Sequence, residues 1–244
     1  MAHVFLANPT GGLLENDRQD ISVTVGPGAR AHVTTQSATK IHTMAHGQAD
    51  QRVALSVGRD GYLEYLPDPL IPFRNAKLVQ STTITVEPGA ALVYGDVITP
   101  GRVAGGEAFG YRRISSRLAV FRQQQHAVYR EAFDLDPANR DPMSMAVLGS
   151  PDPSATNGSG WHTFASIFVL CDAGLARAVL DLVREWCVPG VGAHAGASLL
   201  PDGNGLGVKV IGADRASVQM AATRVWSVAR RQLIGAPQPD LRKY

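Results

Sequence analysis

One pattern recurs three times before residue 100 and limits what this chain can fold into. Each copy consists of a run of alternating apolar and polar residues, a turn that contains glycine, and a second apolar run. The copies span residues 20–33, 52–66 and 81–94. Because side chains alternate along an extended strand, Ile21, Val23 and Val25 of the first copy fall on one face. The recurrence predicts a mainly β protein.

The turns of the three copies contain Gly28, Gly61 and Gly89. Glycine supplies the positive φ that a tight turn needs, so we predict a β-hairpin at each turn. A fourth, looser hairpin is expected between residues 115–121 and 127–135. The spacing of the turns, about 30 residues, is too irregular for a strict solenoid but fits stacked hairpins. We therefore predict a β-helix-like body over residues 1–135.

The chain changes in character after Pro137. Residues 136–160 are rich in proline, asparagine, glycine and serine, which is typical of a loop or linker. Residues 161–244 predict a C-terminal α+β portion with about two helices, which packs on the β body or forms a small subdomain.

Apolar residues at helical spacing predict one helix over residues 173–186, with Asp172 as its N-cap. A second helix is predicted from Asp214 to about Gly235. Short apolar runs predict two strands, residues 164–171 and 207–211. The glycines that precede the second of these strands predict a flexible connection at Gly190, Gly192 and Gly196.

Composition and charge exclude several classes of function. The 23 basic and 21 acidic residues give a net charge of +2 without clustering, which does not favour nucleic acid or an anionic membrane as a partner. Two cysteines and the absence of a long apolar run favour a reduced, cytoplasmic protein. The sequence has no P-loop, no nucleophile elbow, no zinc motif and no recognisable pair of catalytic carboxylates. The residues alone therefore show no catalytic centre and leave the role of this β-rich protein open.

Two histidines form the first candidate metal site. His42 and His46 stand four residues apart, the spacing that places two imidazoles on one face of a helix. They lie between predicted strands and lack a third ligand, so the alternative is an exposed polar loop.

Four carboxylates at turns and strand ends form the second candidate. They are Asp17, Glu64, Asp96 and Glu107. Oxygen ligands in such positions could pass a divalent cation weakly from one to the next. The alternative is that these side chains face water or close turns.

Four blocks, in order, resemble the urease accessory protein D family, which is called protein H in some lineages. The blocks are NPTGGLLENDR (8–18), VGPGARAHVTTQSATK (25–40), LEYLPDPLIPF (63–73) and GRVAGGEAF (101–109). Asn16 stands where the family's first block usually has its last glycine. The resemblance extends nearly from end to end of the chain.

The resemblance implies a β-rich scaffold with a few C-terminal helices rather than an enzyme. Such a protein would bind urease accessory protein F, which recruits the GTPase urease accessory protein G, and would dock on apo-urease to deliver nickel. It would hold nickel only in transit, through a polar internal passage, with no tightly bound cofactor.

The same resemblance places the carboxylates on this path. Asp17 matches the aspartate of the first block and Glu64 the glutamate of the third. Asp96 stands where the family often has glutamate, and Glu107 follows a glycine pair. We expect Asp17 and Glu64 to matter most. The alternative function is a stand-alone nickel or zinc carrier that uses His42 and His46.

Overall fold

A computed structural model describes residues 1–122, 126–139, 160–185 and 192–241. Within these residues the chain forms fifteen β-strands and two α-helices. The strands are β1 (Ala2–Leu6), β2 (Gly12–Leu13), β3 (Arg18–Val25), β4 (Arg30–Thr35), β5 (Thr39–Ile41), β6 (Ala49–Val57), β7 (Tyr62–Tyr65), β8 (Leu70–Pro72), β9 (Lys77–Val86), β10 (Ala91–Ile98), β11 (Arg113–Arg122), β12 (His126–Leu135), β13 (Thr163–Leu170), β14 (Ala193–Leu199) and β15 (Gly205–Gly212). The helices are α1 (Ala173–Arg184) and α2 (Arg215–Ile234). The prediction of a mainly β protein with two helices in its C-terminal part is confirmed.

The strands form two sheets packed face to face. The ten-stranded sheet has the order β1-β4-β7-β10-β13-β15-β14, with β2, β5 and β8 attached beside it. The five-stranded sheet has the order β12-β11-β9-β6-β3. Apolar side chains from both sheets form two buried clusters between them, one that includes Leu55, Leu92 and Phe168 and one that includes Leu78 and Ile98. These two clusters are the core of the body.

The strands on either side of each glycine turn belong to different sheets, so the first three predicted hairpins are wrong. Strand β3 pairs with β6 and β6 with β9, while β4 pairs with β7 and β7 with β10, all in parallel. Each copy of the pattern is therefore one coil of a solenoid-like body, which confirms the β-helix-like stacking. An alternating strand shows the same sequence pattern whichever neighbour it pairs with, and this is why the pattern alone suggested hairpins. The fourth hairpin is confirmed, since β11 and β12 pair antiparallel.

The glycine turns are the corners at which the chain crosses from one sheet to the other. Gly28 and Gly89 have φ of 65° and 73°, and Asp60 has φ of 58° at the corner between them. The corners stack on one another, and a hydrogen bond from Gly28 N–H to the carbonyl of Arg59, at 2.9 Å, joins the first corner to the second. Gly28 and Gly89 supply a positive φ as expected, but in a corner rather than in a hairpin, whereas in the second copy Asp60 and not Gly61 has the positive φ.

The C-terminal portion continues the ten-stranded sheet. Strand β13 pairs antiparallel with β10 of the body and with β15 on its other side. Helices α1 and α2 pack on the outer face of this sheet, over a third apolar cluster that includes Val93, Ile167 and Val208. The ten-stranded sheet therefore has one face toward the five-stranded sheet and the other toward the helices.

The predicted ends of α2 are confirmed. The Asp214 side chain accepts a hydrogen bond from Ser217 N–H at 2.8 Å, and Gly235 ends the helix with φ of 63°. Helix α1 follows Asp172 as predicted, although the Asp172 side chain makes no capping hydrogen bond. The predicted end of α1 at residue 186 lies outside the described residues.

Part of the predicted flexible connection is a strand. Gly196 lies in β14, which pairs antiparallel with β15 along its whole length. The prediction is wrong at Gly196 because β14 is rich in alanine and glycine and has no strong apolar alternation. Gly192 directly precedes β14, and Gly190 lies outside the described residues. In the described part of the chain, we find no helix both long and apolar enough to cross a membrane.

Candidate functional site

The residues singled out in the sequence lie in separate places. Asp17 lies in the turn before β3, His42 and His46 in the loop after β5, Glu64 in β7, Asp96 in β10, and Glu107 in the loop between β10 and β11. Across the described residues, no group of three or more His, Cys, Asp or Glu side chains is arranged to hold a metal ion. Each candidate therefore has to be judged from its own neighbours.

Asp17 and Glu107 close surface turns. The Asp17 carboxylate accepts a hydrogen bond from Leu14 N–H at 2.8 Å. Glu107 pairs with Arg102 at 2.5 Å, and this hydrogen bond holds the pKa of Glu107 below its usual value. The Arg102 guanidinium in turn lies 4.2 Å from the centre of the Phe73 ring. Asp17 and Glu107 therefore stabilise the loops in which they lie.

His42 and His46 lie in an irregular loop and not on a helix. The His42 ring packs edge-on against Phe73 with 5.2 Å between the ring centres, and its buried Nε2 has no hydrogen-bond partner. His46 is exposed, and its backbone N–H donates to Glu15 at 2.8 Å. Backbone N–H groups of Gly47, Ala45 and His46 lower the pKa of Glu15 to about 2. The helical spacing that suggested two ligands on one face does not apply to this loop.

Glu64 lies at the centre of a buried ionic cluster on the helix-facing side of the ten-stranded sheet. Its side chain is 0% exposed and accepts hydrogen bonds from His32 Nδ1 at 2.8 Å, Tyr62 at 2.7 Å and Arg230 at 2.6 Å. His32 and Glu64 are register neighbours on β4 and β7, and Arg230 reaches them from α2. The Trp226 ring stacks on His32 with 5.1 Å between the ring centres.

The electrostatics of this cluster favour an ionised Glu64. Burial alone would raise the pKa of Glu64, but the hydrogen bonds from His32 and its other partners hold it below the usual value. Burial and the neighbouring Glu64 raise the pKa of Tyr62. Both carboxylate oxygens are occupied by donors from the chain itself. The arrangement anchors α2 to the sheet.

A different set of polar groups lies between the two sheets. Three glutamines occupy the same inward-facing register on successive coils, Gln19 on β3, Gln51 on β6 and Gln80 on β9. Gln51 donates to Gln19 at 2.7 Å, and Gln80 donates to Gln51 at 3.1 Å. They line a cavity of about 70 Å³ together with Asp96 and the exposed loop residue Ser37. The cavity therefore runs from the surface loops into the interior.

Asp96 lines both this cavity and a second one. Its side chain points between the sheets, on the face of the ten-stranded sheet opposite to that of Glu64, and is 7% exposed. The second cavity, about 10 Å³, is lined by Asp96, Glu131 and Ser166 among others. Burial and the nearby charge of Glu131 raise the pKa of Asp96 to about 6. Asp96 is the one sequence candidate that lines this interior.

Glu131 continues the polar groups beyond Asp96. It projects from β12 and accepts hydrogen bonds from Ser166 at 3.1 Å, from Tyr129 at 3.0 Å and from the Lys209 ammonium. Ser166 pairs in register with Asp96 on one side and with Lys209 on the other. We refer below to the polar row, which consists of Gln19, Gln51, Gln80, Asp96, Ser166, Glu131 and Lys209.

Most of the polar row was missed in the sequence. The available signal was that Gln51 and Gln80 hold the same place relative to the inward apolar residues of their strands as Gln19 does in β3. A polar residue repeated at an inward position of stacked strands indicates a shared polar interior. Glu131 had no such signal, because its approach to Ser166 depends on how β12 folds back on the body.

These features define a class of protein, a coiled β scaffold with helices on one outer face and a row of polar groups through its interior. Comparison with known proteins places it more narrowly. The family model described as UreD urease accessory protein matches residues 1–243. The chain belongs to the UreD urease accessory protein family.

Individual relatives agree with this assignment. The urease accessory protein UreD of Haloarcula marismortui is 36% identical over 241 residues, which cover 99% of this chain and 77% of the relative. Urease accessory protein UreD 2 of Streptomyces griseus is 36% identical over 243 residues, covering 100% and 80%. UreD of Natronomonas pharaonis is 34% identical over 239 residues, covering 98% and 76%. The family supports a role in urease maturation, and the recognition made from the sequence blocks is confirmed.

Proposed function

We propose that this protein is a non-enzymatic scaffold that passes nickel to apo-urease through its polar row. In this proposal it acts in the cytoplasm, in a complex with urease accessory protein F and, through F, with the GTPase urease accessory protein G. Family membership supports the role in urease maturation. The observation that carries the finer proposal is the polar row, which links surface loops to Asp96 and Glu131 in the interior.

The chemistry of the row suits transfer rather than storage. Amide and carboxylate oxygens are hard ligands, whereas nickel in proteins is held more firmly by imidazole nitrogen. A row of oxygen ligands without an imidazole would bind nickel weakly and release it to the next position. Because the pKa of Asp96 is raised to about 6, this carboxylate exchanges its proton at little cost near neutral pH.

Asp96 replaces Asp17 and Glu64 as the residue that we expect to matter most. Glu64 has three donors on its two oxygens and faces the helices rather than the interior. Asp17 is engaged in a surface turn. Asp96 alone among these carboxylates lines both interior cavities.

The test is coexpression of this chain with the urease structural subunits and accessory proteins F and G from the same organism. The nickel content of the purified urease is measured by mass spectrometry, and F is followed by pull-down. We expect Asp96→Asn to retain F but to lower the nickel content of urease several-fold. The matched control is Asp20→Asn, because Asp20 is an exposed carboxylate on the outward face of β3.

Two results would contradict the proposal. The first is a full nickel content of urease with both Asp96→Asn and Glu131→Gln, which would mean that nickel does not pass along the row. The second is a urease that gains nickel equally well when this chain is omitted.

A further inference from the structure

Lys209 holds an unusual place in the polar row. The sequence contains four lysines, and among the three that the structure describes Lys209 is the one whose ammonium reaches the Glu131 carboxylate. It donates to Glu131 and, at 2.7 Å, to Ser166. Its side chain is 48% exposed, whereas that of Glu131 is 17% exposed and Ser166 is buried. Lys209 therefore lies where the row reaches solvent, at the end opposite to the glutamines.

The groups around the ammonium are those that a divalent cation would also contact. An ammonium has three donors and no acceptor, so it binds to oxygen atoms as a small cation does. The oxygens of Glu131 and Ser166 converge on it, and Asp96 is near enough for Lys209 to influence its charge. The adjoining cavity of about 10 Å³ has room for about one water-sized particle.

A second observation concerns Gln80, which lines a cavity together with Asp96. Gln80 is 5% exposed, and its side-chain oxygen has no hydrogen-bond partner. A buried carbonyl oxygen without a donor is costly in free energy and is normally satisfied by water or a cation. Gln80 lines the same cavity as Asp96, so this oxygen adds an acceptor to that cavity.

We propose that the Lys209 ammonium is a tethered counter-ion that closes the outer end of the polar row and that a divalent cation passes only by displacing it. The proposal deepens the proposed function, on which it rests for the identity of the cation as nickel. When the row is empty, Lys209 neutralises Glu131. When a divalent cation arrives at Asp96 and Glu131, its greater charge displaces the ammonium, which can turn outward because half of its side chain is already in solvent. The Phe168 ring, 5.0 Å from the ammonium, lies beside it.

The test measures nickel binding to the full chain by equilibrium dialysis at neutral pH. We expect Lys209→Met to lower the Kd for Ni²⁺ by about tenfold, because it removes a positive charge beside a divalent cation, a repulsion that exceeds thermal energy even in water. Lys209→Gln should give a similar gain, and Lys209→Arg should not. Lys77→Met is the matched control, since Lys77 lies at the start of β9 outside the polar row.

A further variant distinguishes a counter-ion that a cation displaces from an ion pair that only stabilises the fold. If the Lys209 ammonium competes for the Glu131 site, adding Glu131→Gln to Lys209→Met abolishes the gain in affinity. If Lys209 only stabilises the fold, Lys209→Met and Lys209→Gln lower the midpoint of thermal unfolding and leave the Kd unchanged. An unchanged or higher Kd in both neutral variants, with folding verified by circular dichroism, overturns the proposal.

The outcomes also distinguish this proposal from the one on which it rests. Loss of nickel delivery in Asp96→Asn together with an unchanged Kd in the Lys209 variants contradicts the counter-ion proposal but agrees with the proposed passage of nickel. A tenfold gain in affinity together with full delivery by Asp96→Asn and Glu131→Gln supports the counter-ion and overturns the passage.

Discussion

The buried cluster around Glu64 allows a quantitative test of what this residue does. Replacing Glu64 with leucine leaves the Arg230 guanidinium, whose side chain is 7% exposed, without its carboxylate partner. Removing one member of a buried ion pair costs about 3–5 kcal/mol. For a chain of this length each kcal/mol corresponds to roughly 2–4 °C in the unfolding midpoint. We therefore expect Glu64→Leu to lower Tm by roughly 6–20 °C.

The double variant Glu64→Leu/Arg230→Met shows whether the loss comes from the unpaired charge. Replacing both members of a buried pair with apolar residues is often close to neutral. Here His32 and Tyr62 still lose their acceptor, so some cost remains. We expect the double variant to be more stable than Glu64→Leu by about 2 kcal/mol.

The assay is urea unfolding of the wild type, both single variants and the double variant, which together form a double-mutant cycle. The exposed pair Arg18–Asp20 provides the control cycle and should show little coupling. If Glu64→Leu and the double variant unfold at the same urea concentration, the charge of Arg230 is not held by Glu64. The role assigned here to Glu64, anchoring α2 on the sheet, would then be refuted.

Three further predictions concern other residues. Burial and Glu131 raise the pKa of Asp96 to about 6 in the folded protein, so its contribution to stability is complete below about pH 4 and is lost as the pH rises through 6. In urea unfolding, the stability of Asp96→Asn relative to the wild type should therefore rise over this range, by at most about 3 kcal/mol. A difference in stability that does not depend on pH would contradict this. Gly89→Ala should cost at least about 1 kcal/mol in thermal unfolding, because φ is 73° and a Cβ there would meet a neighbouring carboxylate oxygen, whereas Gly26→Ala, with nothing within 4 Å of its Cβ, should be near neutral. Burial raises the pKa of Cys171 to about 12, so in a Cys187→Ser background its reaction with a thiol reagent should follow global unfolding; rapid labelling of the folded protein would disprove this.

What the sequence predicts well here is local. The alternation in β3, β6 and β9 and the ends of α2 depend on neighbouring residues, and each is found in the structure as predicted. The pairing of strands is not local. Whether β3 bonds to β4 or to β6 depends on how the following coil packs, and the alternating pattern is the same in both cases. The hairpin interpretation failed for this reason.

The candidate site shows the same division. Glu64 and Asp96 are both carboxylates in apolar strands, and nothing local distinguishes them. They differ because Glu64 faces the helices, where Arg230, far along the chain, supplies its counter-charge. Asp96 faces the five-stranded sheet, where burial and the charge of Glu131 oppose its ionisation. Neither partner could be assigned without the packing of α2 and β12.

The parallel stacking of coils has a consequence for how such a protein can change in size. Neighbouring strands lie about 4.8 Å apart, and β3, β6 and β9 each supply one glutamine to the interior. Inserting one whole coil would therefore lengthen the line of amides by about 4.8 Å without disturbing the groups at either end. The length of the path through the interior would therefore change in steps of one coil, while the groups at its two ends stay the same.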